Sequence, residues 1–187
     1  MEKILRIDMG ATGGPSYKVE ELGQYAGNGG RGMTTAIVSN EVPPMCHPLG
    51  ADNKLVIAPG LLSGSAAAMS GRISVGCKSP LTGGIKESNS GGQGAQVLAR
   101  LGYAAIVLEG KAADDMLYTI HINKDGIGIK ADDSLKGLGN YDTVEKLKKS
   151  YGDKISTISI GQAGEMRMSA ASIAFSDIEQ RPTRHAG

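Results

Sequence analysis

Hydrophobic and polar residues alternate in several short stretches of this chain, which is the pattern of strands with one buried face. Residues 4–8 and 17–20 show this pattern on either side of a glycine-containing turn, and they predict a β-hairpin. Residues 33–42 carry apolar positions at helical spacing and end at a diproline, which predicts a helix. A buried strand is expected over residues 54–58.

The middle of the chain is rich in glycine and predicts short strands joined by turns. Residues 60–94 contain nine glycines, and they are followed by a predicted helix over residues 95–101 and a strand over 104–109. Glycine is abundant in the whole chain, at 28 of 187 residues. Such a content indicates tight turns or a close approach of the backbone to another group.

The second half repeats the order of the first. Residues 117–122 and 127–130 predict a second hairpin, residues 143–149 a helix, and residues 154–160 and 169–175 two strands. Hairpin, helix, strand, glycine turn and strand thus occur twice, offset by roughly 100–113 residues, which suggests an internal duplication. We predict an α+β fold with a largely antiparallel or mixed sheet and a single domain over residues 1–187.

Composition and charge exclude several classes of protein. Hydrophobic residues make up 40% of the chain, enough for a core, and 20 basic residues balance 19 acidic ones. This near-neutral balance argues against nucleic acid or an anionic membrane as the main partner. The charged N-terminus is unlike a signal peptide, and the longest uncharged stretch, residues 55–71, is interrupted by Pro59. A cytoplasmic protein without a membrane span is therefore expected.

The familiar catalytic and metal-binding motifs are missing from the sequence. Cys46 and Cys77 form no CxxC pair and are expected to be free thiols, and the three histidines are too far apart for a metal site. Residues 27–32 match G-x-G-x-x-G, but residues 23–26 before them do not predict the buried strand that a dinucleotide site requires.

Small polar residues and arginines are concentrated in two segments. Ser70-Gly71-Arg72, residues 78–83 and residues 88–92 expose backbone N–H groups and supply one guanidinium. These segments predict either a binding surface for a large anionic ligand or glycine-rich turns between strands. A second segment of this kind, residues 181–187, contains two arginines and a histidine. It is either a further contact with the ligand or a solvated tail.

Six segments in order give the sequence a specific likeness. The chain resembles the N-terminal domain of the aldehyde ferredoxin oxidoreductase family, which are tungsten or sometimes molybdenum pterin enzymes, over essentially its whole length. The matching segments are residues 53–60, 70–72, 78–83, 88–92, 101–112 and 159–165. The resemblance implies two intertwined β-rich repeats that form the base for a bis-pterin metal cofactor, whose phosphates are bridged by magnesium.

The resemblance also implies roles for individual residues. Arg72 is similar to the phosphate-binding arginine of the family, Asn89 to the asparagine that reaches the magnesium, and Gly91 to a backbone contact with the pterin. Arg184 resembles the second pterin arginine, and His185 falls where a main-chain carbonyl reaches the magnesium. No catalytic residue is expected in this chain.

The function that the resemblance implies is oxidation of an aldehyde to a carboxylic acid, with electrons passing through an iron–sulfur cluster to ferredoxin. The cluster cysteines and substrate pocket of the family lie in later domains, so this chain alone is expected to be inactive. We expect further domains or a partner subunit, and a homodimer is possible. The alternatives are a non-catalytic pterin-binding or assembly module, or a relative acting on another oxo or aromatic thioester substrate.

Overall fold

The computed structural model describes residues 1–112 and 115–178, and the backbone of residues 182–186. In these residues the helices are Gly30–Glu41 (α1), Gln93–Arg100 (α2), Asn140–Tyr151 (α3) and Gln162–Glu165 (α4). The strands are Lys3–Asp8 (β1), Ser16–Glu21 (β2), Leu55–Pro59 (β3), Arg72–Lys78 (β4), Ile85–Gly91 (β5), Tyr103–Glu109 (β6), Tyr118–Asn123 (β7), Gly126–Ala131 (β8), Thr157–Ser159 (β9), Ile173–Ser176 (β10) and Pro182–Ala186 (β11). Two short 3₁₀ turns, Gly23–Tyr25 and Asp133–Leu135, precede α1 and α3.

A six-stranded mixed sheet is the centre of the fold. Its strand order is β2-β1-β6-β3-β4-β5, in which β1 and β6 are parallel and the other neighbours are antiparallel. Strands β11, β10 and β9 form a smaller sheet, and β7 pairs with β8. Both predicted hairpins and the mixed α/β architecture are thus confirmed. The order hairpin, 3₁₀ turn, helix and strand occurs at β1–β3 and again at β7–β9.

Both faces of the large sheet are covered by apolar groups. Ile4 of β1 joins Met33 and Ile37 of α1 in one core, whereas the next residue, Leu5, joins a second core with Leu98 of α2. Phe175 of β10 and the isoleucines of the β7–β8 hairpin complete the second core. Consecutive residues of a strand point to opposite faces, so a sheet buried on both sides needs apolar residues at successive positions, as in β6 and, apart from Arg6, in β1.

Helix α1 lies directly on β4 because β4 carries a glycine beneath it. A Cβ built on Gly76 would lie 2.6 Å from the Cβ of Thr34, so a side chain at this position would push α1 away. The N-terminal half of α1 therefore lies over β4, and its last residue, Glu41, reaches Arg6 of β1. The helix begins at Gly30, three residues before the predicted start.

The second half of the chain is joined to the first through the start of α2. The Asp177 carboxylate, directly after β10, accepts a hydrogen bond from the Gln93 N–H at 2.5 Å. Strand β11 lies against β5, and the His121 ring of β7 stacks on Tyr151 of α3 with 4.5 Å between centroids. The predicted strands over 154–160 and 169–175 are shorter than expected, since only Thr157–Ser159 and Ile173–Ser176 are paired. None of the described helices is long and apolar enough to cross a bilayer.

Candidate functional site

The antiparallel register of β4 and β5 brings three of the predicted site residues together. Arg72 is paired with Gly91, and Ser74 with Asn89. The Asn89 Nδ2 donates a hydrogen bond to the Ser74 Oγ at 3.1 Å. A Cβ built on Gly91 would lie 3.3 Å from the Arg72 Nη1, so the arginine side chain lies over the glycine. Both Arg72 and Asn89 are exposed.

Two further glycines beside this pair, Gly71 and Gly92, are required by the path of the backbone. A Cβ on Gly71 would lie 2.6 Å from the Gly92 carbonyl oxygen, and the Gly92 N–H donates to the Gly71 carbonyl at 2.9 Å. Gly92 has a φ of 120°, a conformation that side chains disfavour. At Gly71 and Gly92 the interpretation as turns between strands is therefore sufficient, whereas Gly91, without a side chain, allows the exposed Arg72 guanidinium to lie over its backbone.

The start of α1 borders the same surface. The backbone φ of Gly30 is 51°, and a Cβ built on this residue would lie 3.5 Å from the Ser74 Oγ. The next residue, Arg31, donates from Nε to the Glu87 Oε2 at 3.0 Å. Glu87 and Asn89 are two residues apart on β5 and so point to the same face. We call Gly30, Arg31, Arg72, Ser74, Glu87, Asn89 and Gly91 the Asn89 cluster.

The Arg31–Glu87 pair was not predicted from the sequence, since its members are 56 residues apart. The Arg31 side chain is 77% exposed and that of Glu87 only 10%. The Glu87 Oε1 is buried and has no hydrogen-bond partner among the described residues. The glycine motif over residues 27–32 follows a 3₁₀ turn rather than a strand, so it lacks the setting of a dinucleotide site.

The other two predicted residues lie on β11. Arg184 is paired with Phe175 and His185 with Ala174 of β10, and β11 lies against β5, which carries Asn89 and Gly91. The side chains of Arg184 and His185 lie outside the described part of the chain, as do Arg181 and Gly187. Their backbone is thus on a strand next to β5.

The Asn89 cluster offers donors for phosphate and oxygen for a hard cation. Arg72 supplies a permanently charged guanidinium, and the Asn89 Nδ2 is engaged by Ser74, so the Oδ1 of the same amide is the atom available to a metal. Over residues 1–112 and 115–178, no three His, Cys, Asp or Glu side chains are grouped so as to hold a metal ion. Magnesium is commonly bound by few protein oxygens together with phosphate groups, so this donor set fits a magnesium phosphate.

Sequence reasoning missed a second polar region at the other end of α1, which we call the Arg6 network: Arg6, Glu20, Tyr25, Glu41, Lys54 and Glu109. Arg6 is 7% exposed and donates to both Glu41 oxygens, from Nη1 at 2.7 Å and Nη2 at 2.6 Å, and to Glu20 from Nε. The Lys54 Nζ lies 3.1 Å from Glu41 and also contacts Glu109. The only sequence signal is an arginine at an inward position of the apolar run in β1.

Hydrogen bonding sets the protonation of the Arg6 network. Burial raises the pKa of Glu41, but hydrogen bonds from Arg6, Tyr25 and Lys54 lower it to about 2. Burial lowers the pKa of Lys54, and its contacts with Glu109 and Glu41 raise it above its ordinary value. Glu41 and Lys54 therefore both carry their charges at neutral pH. A cavity of about 250 Å³ adjoins it, lined by Arg6, Asp8, Ser16, Tyr17, Lys18 and Glu109.

The chain matches known proteins over nearly all of its length. The family described as aldehyde ferredoxin oxidoreductase, N-terminal domain, matches residues 4–187. The tungsten-containing aldehyde ferredoxin oxidoreductases of Thermococcus kodakarensis and Pyrococcus furiosus are each 37% identical over 175 residues, which are 91% of this chain and 28% of the relative. An aliphatic sulfonate oxidoreductase, WOR-like subunit, of Pyrococcus furiosus is 29% identical over 78% of this chain and 25% of the relative.

A solved structure matches the fold as well. The active site complex BamBC of benzoyl coenzyme A reductase, with 1,5-dienoyl-CoA, superimposes with a TM-score of 0.84 at 31% identity, covering 99% of this chain and 27% of that chain. The present chain therefore spans little more than a quarter of the length of these relatives. On the family match and the identity to its tungsten enzymes, this chain belongs to the aldehyde ferredoxin oxidoreductase N-terminal domain family.

Proposed function

We propose that this chain is the metal-pterin-binding domain of a tungsten-containing aldehyde:ferredoxin oxidoreductase. The observation that carries the proposal is the convergence of Arg72, Asn89 and Gly91 on one exposed patch at the paired ends of β4 and β5. Relatives named as tungsten-containing aldehyde ferredoxin oxidoreductases supply the cofactor and reaction class.

Each residue of the patch has a distinct task in this proposal. Arg72 binds a phosphate of the cofactor by its guanidinium fork, and the absence of a side chain at Gly91 lets the pterin approach the backbone. Asn89 contributes oxygen to the magnesium ion that bridges the phosphates. Arg184 and the main-chain carbonyl of His185 complete the site from β11. The element order seen twice in the fold supports a site built between two intertwined β-rich repeats, one contributing β4 and β5 and the other β11.

The bound cofactor, with tungsten or molybdenum as its metal, supplies the two-electron redox chemistry for oxidation of an aldehyde to a carboxylic acid. This chain binds and orients the cofactor, while an iron–sulfur cluster in a further domain or partner subunit passes electrons to ferredoxin. In this proposal the enzyme is cytoplasmic, and a homodimer forms through surfaces outside the Asn89 cluster. This chain alone, which spans 28% of its relatives' length, performs no turnover.

The substrate class follows the more similar relatives. The aldehyde enzymes are 37% identical to this chain, against 29% for the sulfonate oxidoreductase and 31% for the benzoyl coenzyme A reductase complex. These last two show that the fold occurs in proteins named for other substrates. A substrate other than an aldehyde is therefore the alternative within the same cofactor-binding role, and a non-catalytic pterin-binding module is the alternative outside it.

The proposal is tested by cofactor retention. The purified 187-residue chain is mixed with the metal-pterin cofactor released from one of the tungsten relatives, and tungsten, phosphorus and magnesium that co-elute with it in gel filtration are measured. We expect retention by the wild-type chain and about a tenfold weaker retention by Arg72→Met and by Asn89→Ala, since each removes one charged or metal-ligating contact.

Arg100→Met is the matched control, because it removes one exposed guanidinium from α2, away from the Asn89 cluster. Equal retention by wild type, Arg72→Met and Asn89→Ala would contradict the assigned site. If the cofactor is retained, but a longer protein that contains this chain shows no metal-dependent oxidation, the non-catalytic module is favoured.

A further inference from the structure

The start of α1 and the middle of β5 meet beside the proposed cofactor site, and neither has a role in it so far. We infer that Arg31 and Glu87, together with Asn89, form a binding site for a magnesium-bound phosphate group. The inference rests on the proposed function for the identity of that phosphate, and it adds two residues, contributed by α1 and β5, to the site. It gives the glycine segment before α1 a task that is unrelated to dinucleotide binding.

Arg31 has free capacity to bind an anion. Its Nε is held by the Glu87 Oε2 at 3.0 Å, and within the described residues its two Nη atoms have no hydrogen-bond partner. The side chain is 77% exposed, so this fork of donors faces solvent rather than protein. Guanidinium groups bind phosphate oxygens through such a fork, while the contact with Glu87 keeps the arginine in one place.

Glu87 has free capacity to bind a cation. Its side chain is nine-tenths buried, yet in the described part of the chain nothing donates to its Oε1. An unpaired carboxylate oxygen away from water is unfavourable, and a ligand that satisfies it is favoured by the same amount. We expect the Glu87 side chain to rotate on binding so that this oxygen faces the ligand.

Contacts with neighbouring residues place Arg31 and Glu87 beside Asn89. Asn89 is the second residue after Glu87 on the same face of β5, and Ser74 holds its amide nitrogen at 3.1 Å. Gly30, which precedes Arg31, lies against the same serine. Arg31, Glu87 and Asn89 are thus neighbours that supply a guanidinium, a carboxylate and an amide oxygen. A magnesium ion carrying a phosphate needs oxygen ligands and a cationic partner.

The start of the helix strengthens the preference for an anion. Gly29 precedes α1 and provides no side-chain cap for its first N–H groups. The N-terminal end of a twelve-residue helix carries partial positive charge, which favours a phosphate beside Arg31. This contribution is additional to the two side chains and does not define the site without them.

The experiment uses inorganic pyrophosphate as the probe, with and without Mg²⁺, and isothermal titration calorimetry on the full 187-residue chain. We expect binding by the wild type that is about tenfold tighter with Mg²⁺ than without it. Glu87→Gln should abolish this dependence on Mg²⁺, because it removes the negative charge that pairs with the cation, while metal-free binding persists. Arg31→Met should weaken binding about tenfold under both conditions.

Two controls match the charge changes elsewhere on the chain. Arg100→Met and Glu145→Gln each remove one exposed charge from a helix outside the Asn89 cluster and should leave both affinities unchanged. Urea denaturation of every variant establishes that it is folded. Absence of a Mg²⁺ effect in the wild type, or an unchanged Mg²⁺ effect in Glu87→Gln, would overturn the inference.

The result separates the inference from the proposed function. If the metal-pterin cofactor is retained through Arg72 and Asn89, but Arg31→Met and Glu87→Gln leave pyrophosphate binding unchanged, the inference fails and the proposed function stands. If pyrophosphate binds through Arg31 and Glu87 and the cofactor is not retained, the site binds free magnesium pyrophosphate, and the proposed function fails.

Discussion

The two ends of helix α1 carry polar groups on the same face of the same sheet, but they differ in how those groups are paired. At the end of the helix, both oxygens of Glu41 accept hydrogen bonds from Arg6, and Tyr25 adds a third at 2.7 Å. At its start, Arg31 is exposed and Glu87 has a buried oxygen without a partner among the described residues. Fully hydrogen-bonded buried charges hold the end of the helix on the sheet. At its start, Arg31 and Glu87 pair through one atom each, and the second oxygen of Glu87 can accept a bond from a ligand.

The same chemistry therefore has opposite consequences at the two sites. In the Arg6 network each charge is compensated within the protein, so removing one member leaves a buried charge unpaired. In the Asn89 cluster the guanidinium groups are exposed and only the Glu87 carboxylate is buried, so the loss of the Arg31–Glu87 ion pair costs less stability. We expect substitutions in the first region to change the free energy of unfolding and those in the second to change ligand affinity.

The largest expected effect comes from Arg6→Met. It leaves Glu41 and Glu20 without their main donor, and we expect a loss of about 3–5 kcal/mol in the free energy of unfolding. Arg31→Met removes the same group from a pair in which only Glu87 is buried, and it should cost less, about 1–2 kcal/mol. Urea denaturation at neutral pH measures both, and similar losses in the two variants would break the comparison.

A smaller effect is expected on acidification. The pKa of Glu41 is about 2 in the folded chain, below its ordinary value of 4.5, so the unfolded chain binds its proton first as the pH falls. The stability that Glu41 contributes is complete above about pH 4.5 and is lost towards pH 2, by at most about 3 kcal/mol.

Urea denaturation at a series of pH values between neutrality and pH 2 measures this loss. Glu41→Gln cannot titrate and should show a flatter dependence than the wild type over that window. Identical pH profiles of the two proteins would mean that Glu41 is not the group whose protonation weakens the fold.

The smallest effects come from removing one hydroxyl at each end of α1. Tyr25→Phe deletes a donor to Glu41 inside the Arg6 network, and we expect a loss of about 1–2 kcal/mol in unfolding free energy. Ser74→Ala deletes the acceptor for the exposed Asn89 amide, which can turn to water, and should cost less than about 1 kcal/mol. In the same variant, however, the affinity for magnesium pyrophosphate should weaken. A calorimetric affinity equal to that of the wild type would contradict the positioning of Asn89 by Ser74.

The sequence pattern was informative where a single local rule decides the structure. Alternation with an intervening turn identifies both hairpins, since pairing of neighbouring segments needs no other part of the chain. The start of α1 was missed because Gly30-Arg31-Gly32 has low helical propensity, and its helical form depends on the contact with Ser74 and the glycine beneath Thr34. Strand β5 was not delimited either, because its polar, partly exposed residues lack the usual alternation.

The site shows the same division between local and distant information. Arg72, Asn89 and Gly91 were named through resemblance, and small residues alone left turns as an equal explanation. Arg31 and Glu87 could not be paired from the sequence, since only the packing of α1 on β4 and β5 brings them together. The Arg6 network was missed for the same reason, as its members come from three strands, a 3₁₀ turn, a helix and the loop before β3.

The position of β6 between β1 and β3 has a consequence for synthesis of the protein. Strands β1 and β3 are made long before the strand that joins them, so the large sheet acquires its centre only when residue 109 has left the ribosome. The core on its second face is completed only when Phe175 has been synthesised. The nascent chain therefore exposes apolar strands until these residues have been synthesised, and we expect a chaperone to bind in that interval.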